Sequence, residues 1–449
     1  MKHLVSTLVL PPLFACSAAF AQADVAGQDF ADTPPRQDEI AASDSPEAFS
    51  SEELERDWPL ADQYLVDGRL NEGIAALQAR LEEAPDDDQA RFGLGVAQFL
   101  HGVERLGNTL HRYGTGGGTL EQAAQMFPVL RMPMPLNPEP ETIGVEAFRQ
   151  IFRQFHDDLA VAEATLARIS SDDVQLPLQF GRIQLNLMGP EGNERQPLWR
   201  IYSRIAGVQV PAPAAQQFVI DFDIGDAYWL RGYCKLLMAT QQMILAYELD
   251  GIFERTAHLL FPHVDTPHAF LMEERTSVGG FQGFEPHLIM DVIAMIHSIN
   301  LQVAQPDRLE AALAHFEKVI ELSRGSWEHI LAEEDNRNEW IPNPNQTGVL
   351  PGVDVTSAMV DDWMLFLDEI ESIFAGDTLA PFWRTEREDL GINVRRVFTD
   401  PTPLDLVLWI QGTAATPYIE QGQVTDAHFW WRLQETFNGQ FMGYAIWFN

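Results

Sequence analysis

The sequence predicts a mostly α-helical protein, a helical-repeat or bundle array with at most a minor β-hairpin. Three observations carry this. Apolar residues recur at spacings of three and four through most of the chain. Alternation of the kind strands show is confined to a few short stretches. Helix punctuation, with Asp, Thr or Pro at starts and Gly at stops, falls where the periodic segments begin and end.

Residues 1–23 read as a secretory signal: Lys2 and His3, an apolar stretch from Leu4 to Phe20, and a small-x-small site at Ala19-Phe20-Ala21. Leu13-Phe14-Ala15-Cys16 offers an alternative, a lipoprotein anchored at Cys16. A periplasmic or secreted location is expected, with the anchored lipoprotein as the alternative. Residues 24–50 are acidic and aperiodic and read as a disordered spacer.

A helical region is expected over 51–126. Tyr64, Gly68, Leu77 and Pro85 fall at fixed offsets, and Leu94-Gly95 and Gly102 recur in a 34-residue register. This stretch, roughly 58–112, resembles the tetratricopeptide repeat family. Gly73 and Arg80 stand where that family has alanine, and its Trp-x-x-Leu-Gly signature is missing from the first copy. The resemblance implies helix-turn-helix pairs packed on a larger body over 127–449, and an association with protein or peptide partners.

In that body, Phe148, Phe152, Phe155, Leu159, Ala162, Leu166 and Ile169 form one apolar seam. A hairpin inside a bundle is expected, with a dimerising coiled coil as the alternative. Residues 186–192 look like a decayed calcium loop, but Met188 and Pro190 offer no side-chain oxygen, so a plain turn is expected. Asp223 can cap a buried helix from Asp226 to Glu248, and Pro286 can start another. Residues 307–324 and 357–374 are amphipathic, the second stopped by Gly376, and 333–356 form a long polar loop. The stretch 392–412 has β-branched and aromatic residues that would suit a hairpin. Residues 429–448 hold so many aromatics, from Phe429 to Phe448, that docking into the body is expected, with an exposed platform for a carbohydrate or partner as the alternative.

Composition narrows function. Of 449 residues, 29 are basic and 66 acidic, a formal charge of −37. Nucleic acid and anionic lipid need clustered cations, so neither is an expected partner. No stretch reads as a transmembrane segment; Ala227 to Tyr247 carries Arg231 and Lys235. Only Cys16 and Cys234 are cysteine, and Cys234 sits in an apolar run, as an inert buried thiol would.

Phosphate-loop, zincin, nucleophile-elbow and Cys-x-x-Cys motifs are absent from the sequence. No cofactor or metal is expected. Weaker candidates remain for a ligand site. His287 and Asp291 share a helical face and could relay a proton; His297 points away from them. Arg231, among Tyr228, Trp229 and Tyr233, needs a carboxylate, with Asp226, Glu285 and Asp291 as candidates. Trp340 and the amides of its loop could line a groove for a sugar or peptide. The resulting expectation is an exported helical scaffold or binding protein of the bacterial cell envelope. The alternative is an exported α-helical hydrolase or lyase acting on a sugar or peptide, built from Asp226, Arg231, His287 and Asp291.

Overall fold

The computed structural model describes residues 56–115, 132, 134–189, 195–206, 215–273, 286–350 and 353–449. The signal stretch, the acidic spacer, Cys16 and Glu285 lie outside the described residues. The chain is mostly helical, with small antiparallel ladders at the margins. Among the described residues no helix is long and apolar enough to cross a membrane.

Three consecutive helices open the fold: α1 (Leu60–Val66), α2 (Leu70–Glu83) and α3 (Asp88–Tyr113), packed on one another. Asp87 caps α3 by accepting from the Ala90 amide at 3.0 Å. Helix α4 (Val145–Leu166) lies along α3. The two backbones approach at Gly95, where an added Cβ would stand 2.4 Å from Leu166 Cδ2. The α4 seam is spent inside the molecule: Phe155, Leu159, Ala162 and Leu166 are buried against α3 and the next long helix. The coiled-coil alternative is corrected by that burial.

A short helix, α5 (Leu198–Ala206), precedes the central one, α6 (Ile224–Leu245). Apolar residues surround α6 because it packs between α4 on one side and α9 (Pro306–Ala332) on the other. The long helices thus lie side by side in the order α3, α4, α6, α9. Helices α7 (Asp250–Thr256) and α8 (Pro286–Ser298) pack together beside this array. Helix α9 runs eight residues past the predicted end at 324 (332 − 324). Helix α10 (Ser357–Ala375) packs on α9 and stops at Gly376, whose φ of 83° is the left-handed conformation of a helix stop.

The strands are two or three residues long: β1 (Leu176–Leu178) pairs with β4 (Ile220–Phe222), and β2 (Gln184–Leu185) with β3 (Gln196–Pro197). β5 (Asn300–Leu301) pairs with β8 (Leu404–Asp405), while β6 (Ala380–Pro381), β7 (Leu390–Ile392) and β9 (Ile419–Gln421) form a three-stranded piece. Between them, α11 (Val394–Thr399) and α12 (Leu406–Gln411) are helical, capped by Asn393 and Asp405. The 186–189 segment is a turn. The Asn186 side-chain Nδ2 donates to the Gly189 carbonyl at 2.8 Å, and its Oδ1 accepts from the Met188 backbone amide at 3.0 Å.

The aromatic tail is docked. Helices α13 (Ala427–Thr436) and α14 (Phe441–Phe448) bury Phe437, Phe441 and Phe448 against Trp327 and Trp363. Phe448 meets Trp327 at 4.7 Å and Trp363 at 5.6 Å between ring centroids. The Trp229 indole donates to the Trp447 carbonyl at 2.8 Å. Asn449 lies against Gly232, where a Cβ would stand 2.2 Å from its Oδ1. Trp431 is the exception and faces solvent.

Candidate functional site

The sequence-predicted site residues separate in the fold. Asp226 is buried in the first turn of α6. Five residues on, Arg231 pairs with Glu163 Oε1 of α4 at 3.3 Å, and neither Asp226 nor Asp291, the two expected partners among the described residues, forms an ion pair with it. Lys235 reaches the other Glu163 oxygen at 3.0 Å, and the Arg231 guanidinium lies 5.4 Å from the Tyr228 ring centroid. This is a bridge between helices, two cations sharing one buried carboxylate. His287 is exposed on α8, while Asp291 turns inward to His258 Nε2 at 3.4 Å. Trp340 is buried among Phe180, Tyr202 and Trp229, at 5.7–5.9 Å between centroids. Its rings therefore pack the interior and do not present an open stacking face. Cys234 is fully buried, and burial pushes its thiol far up, which leaves it inert.

Around Asp226 the fold assembles something the sequence reading did not join. Asp223 caps α6, accepting from the Asp226 amide at 3.2 Å, while the Asp226 carboxylate accepts from the Asp223 amide at 3.2 Å. Because α9 packs along α6, Glu333, the residue that follows α9, arrives beside that cap. The chain then turns back through 334–349 and places Glu339 there as well. Asp223, Glu333 and Glu339 each present a carboxylate oxygen, and these three lie within 4.8 Å of one another.

Neutral groups hold this arrangement. Gln346 Nε2 donates to Glu333 Oε2 at 3.0 Å, and the Arg337 amide donates to Glu339 Oε1 at 2.6 Å. Asn343 fastens the loop to the end of α9 by donating to the Ile330 carbonyl at 3.0 Å. The nearby bases are engaged elsewhere, Arg56 with Asp221 at 2.7 Å and Arg337 with Asp335 at 3.3 Å. Among the described residues no cation forms an ion pair with Asp223, Asp226, Glu333 or Glu339.

Uncompensated carboxylates out of water hold their protons. Burial, then the hydrogen bond and charge of Asp223, push Glu333 up to about 10. Burial, then the charges of Asp223, Asp335 and Asp221, push Glu339 up to about 7. Burial and Asp223 raise Asp226 well above the usual carboxylate range. At neutral pH the cluster cannot be fully ionised. It can give up a proton to a reacting group or exchange protons for a cation. Oxygens at about 2.3–2.6 Å from a calcium ion can stand as far apart as these do. A separate open cleft of about 560 Å3, lined by Arg182, Gln184, Trp199, Gln216 and Gln217, contains none of these carboxyls.

Two sequence features lie at the cluster. Asp-x-x-Asp stands at a helix start, and Glu333-Glu334-Asp335 follow a helix end, where the macrodipole disfavours acids. Compared with protein families, curated proteins and solved structures, the chain matches none.

Proposed function

We propose that the chain is an exported α-helical binding protein of the cell envelope whose ligand centre is the cluster of Asp223, Glu333 and Glu339. It takes up a divalent cation, with calcium the best fit for an all-oxygen donor set. The observation that carries this reading is three carboxyl oxygens within 4.8 Å of one another in a half-buried site without a paired base. Such a site is electrostatically incomplete as three anions, and a divalent ion completes it. The cation would tie the α6 start, the α9 end and the 334–349 loop together, fixing the surface that meets a partner.

Calorimetric titration of the chelator-treated protein with CaCl2 tests this. Binding with Kd of about 10⁻⁴–10⁻³ M is expected, the range of extracellular calcium modules. At a tenfold excess over Kd, stability should rise by about 1.4 kcal/mol. Glu339→Gln should weaken both effects. No heat, and an unchanged melting curve with 10 mM calcium or magnesium (about ten times the weakest such Kd), would sink the proposal.

Glu339 at about 7 favours a second reading, a hydrolase or lyase using that carboxyl as general acid. Turnover of a sugar or peptide that is independent of calcium and lost in Glu339→Gln would select it.

A further inference from the structure

Eight large aliphatic side chains face outward on two neighbouring helices. On α8, Ile289, Met290, Val292, Ile293 and Ile296 are 36–61% exposed. On α12, Val407, Leu408 and Ile410 are 40–58% exposed. The two helices spring from one ladder: β5 follows α8, β8 precedes α12, and the strands pair. The Leu406 amide donates to the Ile299 carbonyl at 3.0 Å, and α8 touches α12. The eight side chains therefore form one continuous surface. Its area is on the order of 600 Å2, the upper end of what monomers leave open.

We propose that this surface is an interface with a second copy of the same chain, related by a two-fold axis. It goes beyond the cation-binding reading and does not depend on it. Area is the first argument. A standard interface covers about 800 Å2 per partner, of which only about 56–58% is apolar, so this patch already supplies the apolar share. Charge is the second. At −37, two copies repel across any face that carries the charge. Residues 286–301 and 404–412 hold only two acids, Asp291, turned inward to His258, and Asp405, engaged in capping α12. Shape is the third. Ile289, Ile293 and Ile296 stand four and three apart and make a single ridge, which fits the groove of an identical helix. A lipid surface fits less well, because 286–301 and 404–412 contain no Lys or Arg to meet headgroups.

Sedimentation equilibrium of the whole chain at about 0.15 M salt, where the Debye length is near 8 Å, tests the proposal. Twice the monomer mass is expected. Ile293→Lys and Ile410→Lys should each weaken association at least about a hundredfold, because a two-fold axis applies every change twice. Both sites are half-exposed, so melting temperature at monomeric concentrations should hold; Met290→Lys serves if either variant misfolds. A wild-type monomer at tens of micromolar protein, well above the Kd an interface of this size usually gives, overturns the proposal. So does a dimer that all these variants leave intact. Binding of monomeric wild type to phosphatidylcholine vesicles, lost in Ile293→Lys, would assign the surface to lipid instead.

Discussion

Replacing Glu339 by glutamine removes one titrating group from the carboxyl cluster while keeping its volume and its acceptor for the Arg337 amide. Glu339 is only 6% exposed, so its proton is held by the folded state. In the unfolded chain the carboxyl ionises near its ordinary 4.5, and in the folded chain near about 7. The folded value is the higher one. Stability linked to this proton is therefore fully present below pH 4.5 and lost as the pH climbs through 7. At about 1.36 kcal/mol per pH unit, the gap amounts to roughly 3 kcal/mol. That is a large share of the ~5–15 kcal/mol that holds a typical fold together. The glutamine variant has nothing to ionise. With chelator present, it should match wild type at pH 4.5 and exceed it by up to about 3 kcal/mol at pH 8. Urea denaturation at several pH values, followed by tryptophan fluorescence, measures the difference. A variant less stable than wild type at pH 8, or one with an unchanged pH slope, refutes the reasoning.

Further outcomes follow from the packing. Gly232→Ala drives a methyl into Asn449 and should cost about 1–3 kcal/mol, seen as a lower melting temperature and easier proteolysis near 440–449. Deleting Tyr444 to Asn449 removes fully buried Phe448; at about 3–5 kcal/mol for one such aromatic, the product should unfold or aggregate, and a soluble, native-melting deletion would contradict the docked tail. Raising salt from about 0.01 M to about 0.15 M shortens the Debye length from about 30 Å to 8 Å, so melting temperature should rise; a flat response would mean that the arginine pairs already neutralise the acidic surface.

Much of the helical body was legible because its signals are local. The α4 seam repeats without interruption over 148–169, and Gly376 stops α10 where a left-handed residue is needed. Helix α9 continues beyond the amphipathic stretch 307–324, through Gly325, to Ala332. Gly325 marks a close approach, with a would-be Cβ 2.6 Å from the Tyr228 ring. In 392–412 the β-branched residues suggested strands, yet Asn393 and Asp405 cap short helices there, and side-chain caps outweighed propensity. The carboxyl cluster was not legible as a unit. Asp223 and Glu333 lie roughly a hundred residues apart, and only the packing of α9 along α6 brings them together. The same holds for Arg231, whose partner Glu163 is supplied by α4. Asp226 belonged to the right place for a reason the sequence could not show. His287 and Asp291 share a helical face by their spacing, but His287 is exposed there while Asp291 turns to His258, a partner supplied by packing.

Helix α6 touches more than one interior. Ile224, Ala227 and Leu230 belong to the cluster built with α1–α3, Cys234 and Met238 to the one with α4, and Ala239, Met243 and Ala246 to the one with α9 and α11. Each cluster can breathe at its rim without disturbing the others, but α6 is common to all three. Its amide hydrogens should therefore exchange with solvent only when the whole molecule opens, whereas those of α1, α7 and α12 exchange through cheaper, partial openings. The start of that most protected helix is where the carboxyl cluster sits. Whatever binds there is held at the slowest-exchanging part of the molecule, and its occupancy will register in the lifetime of the entire fold.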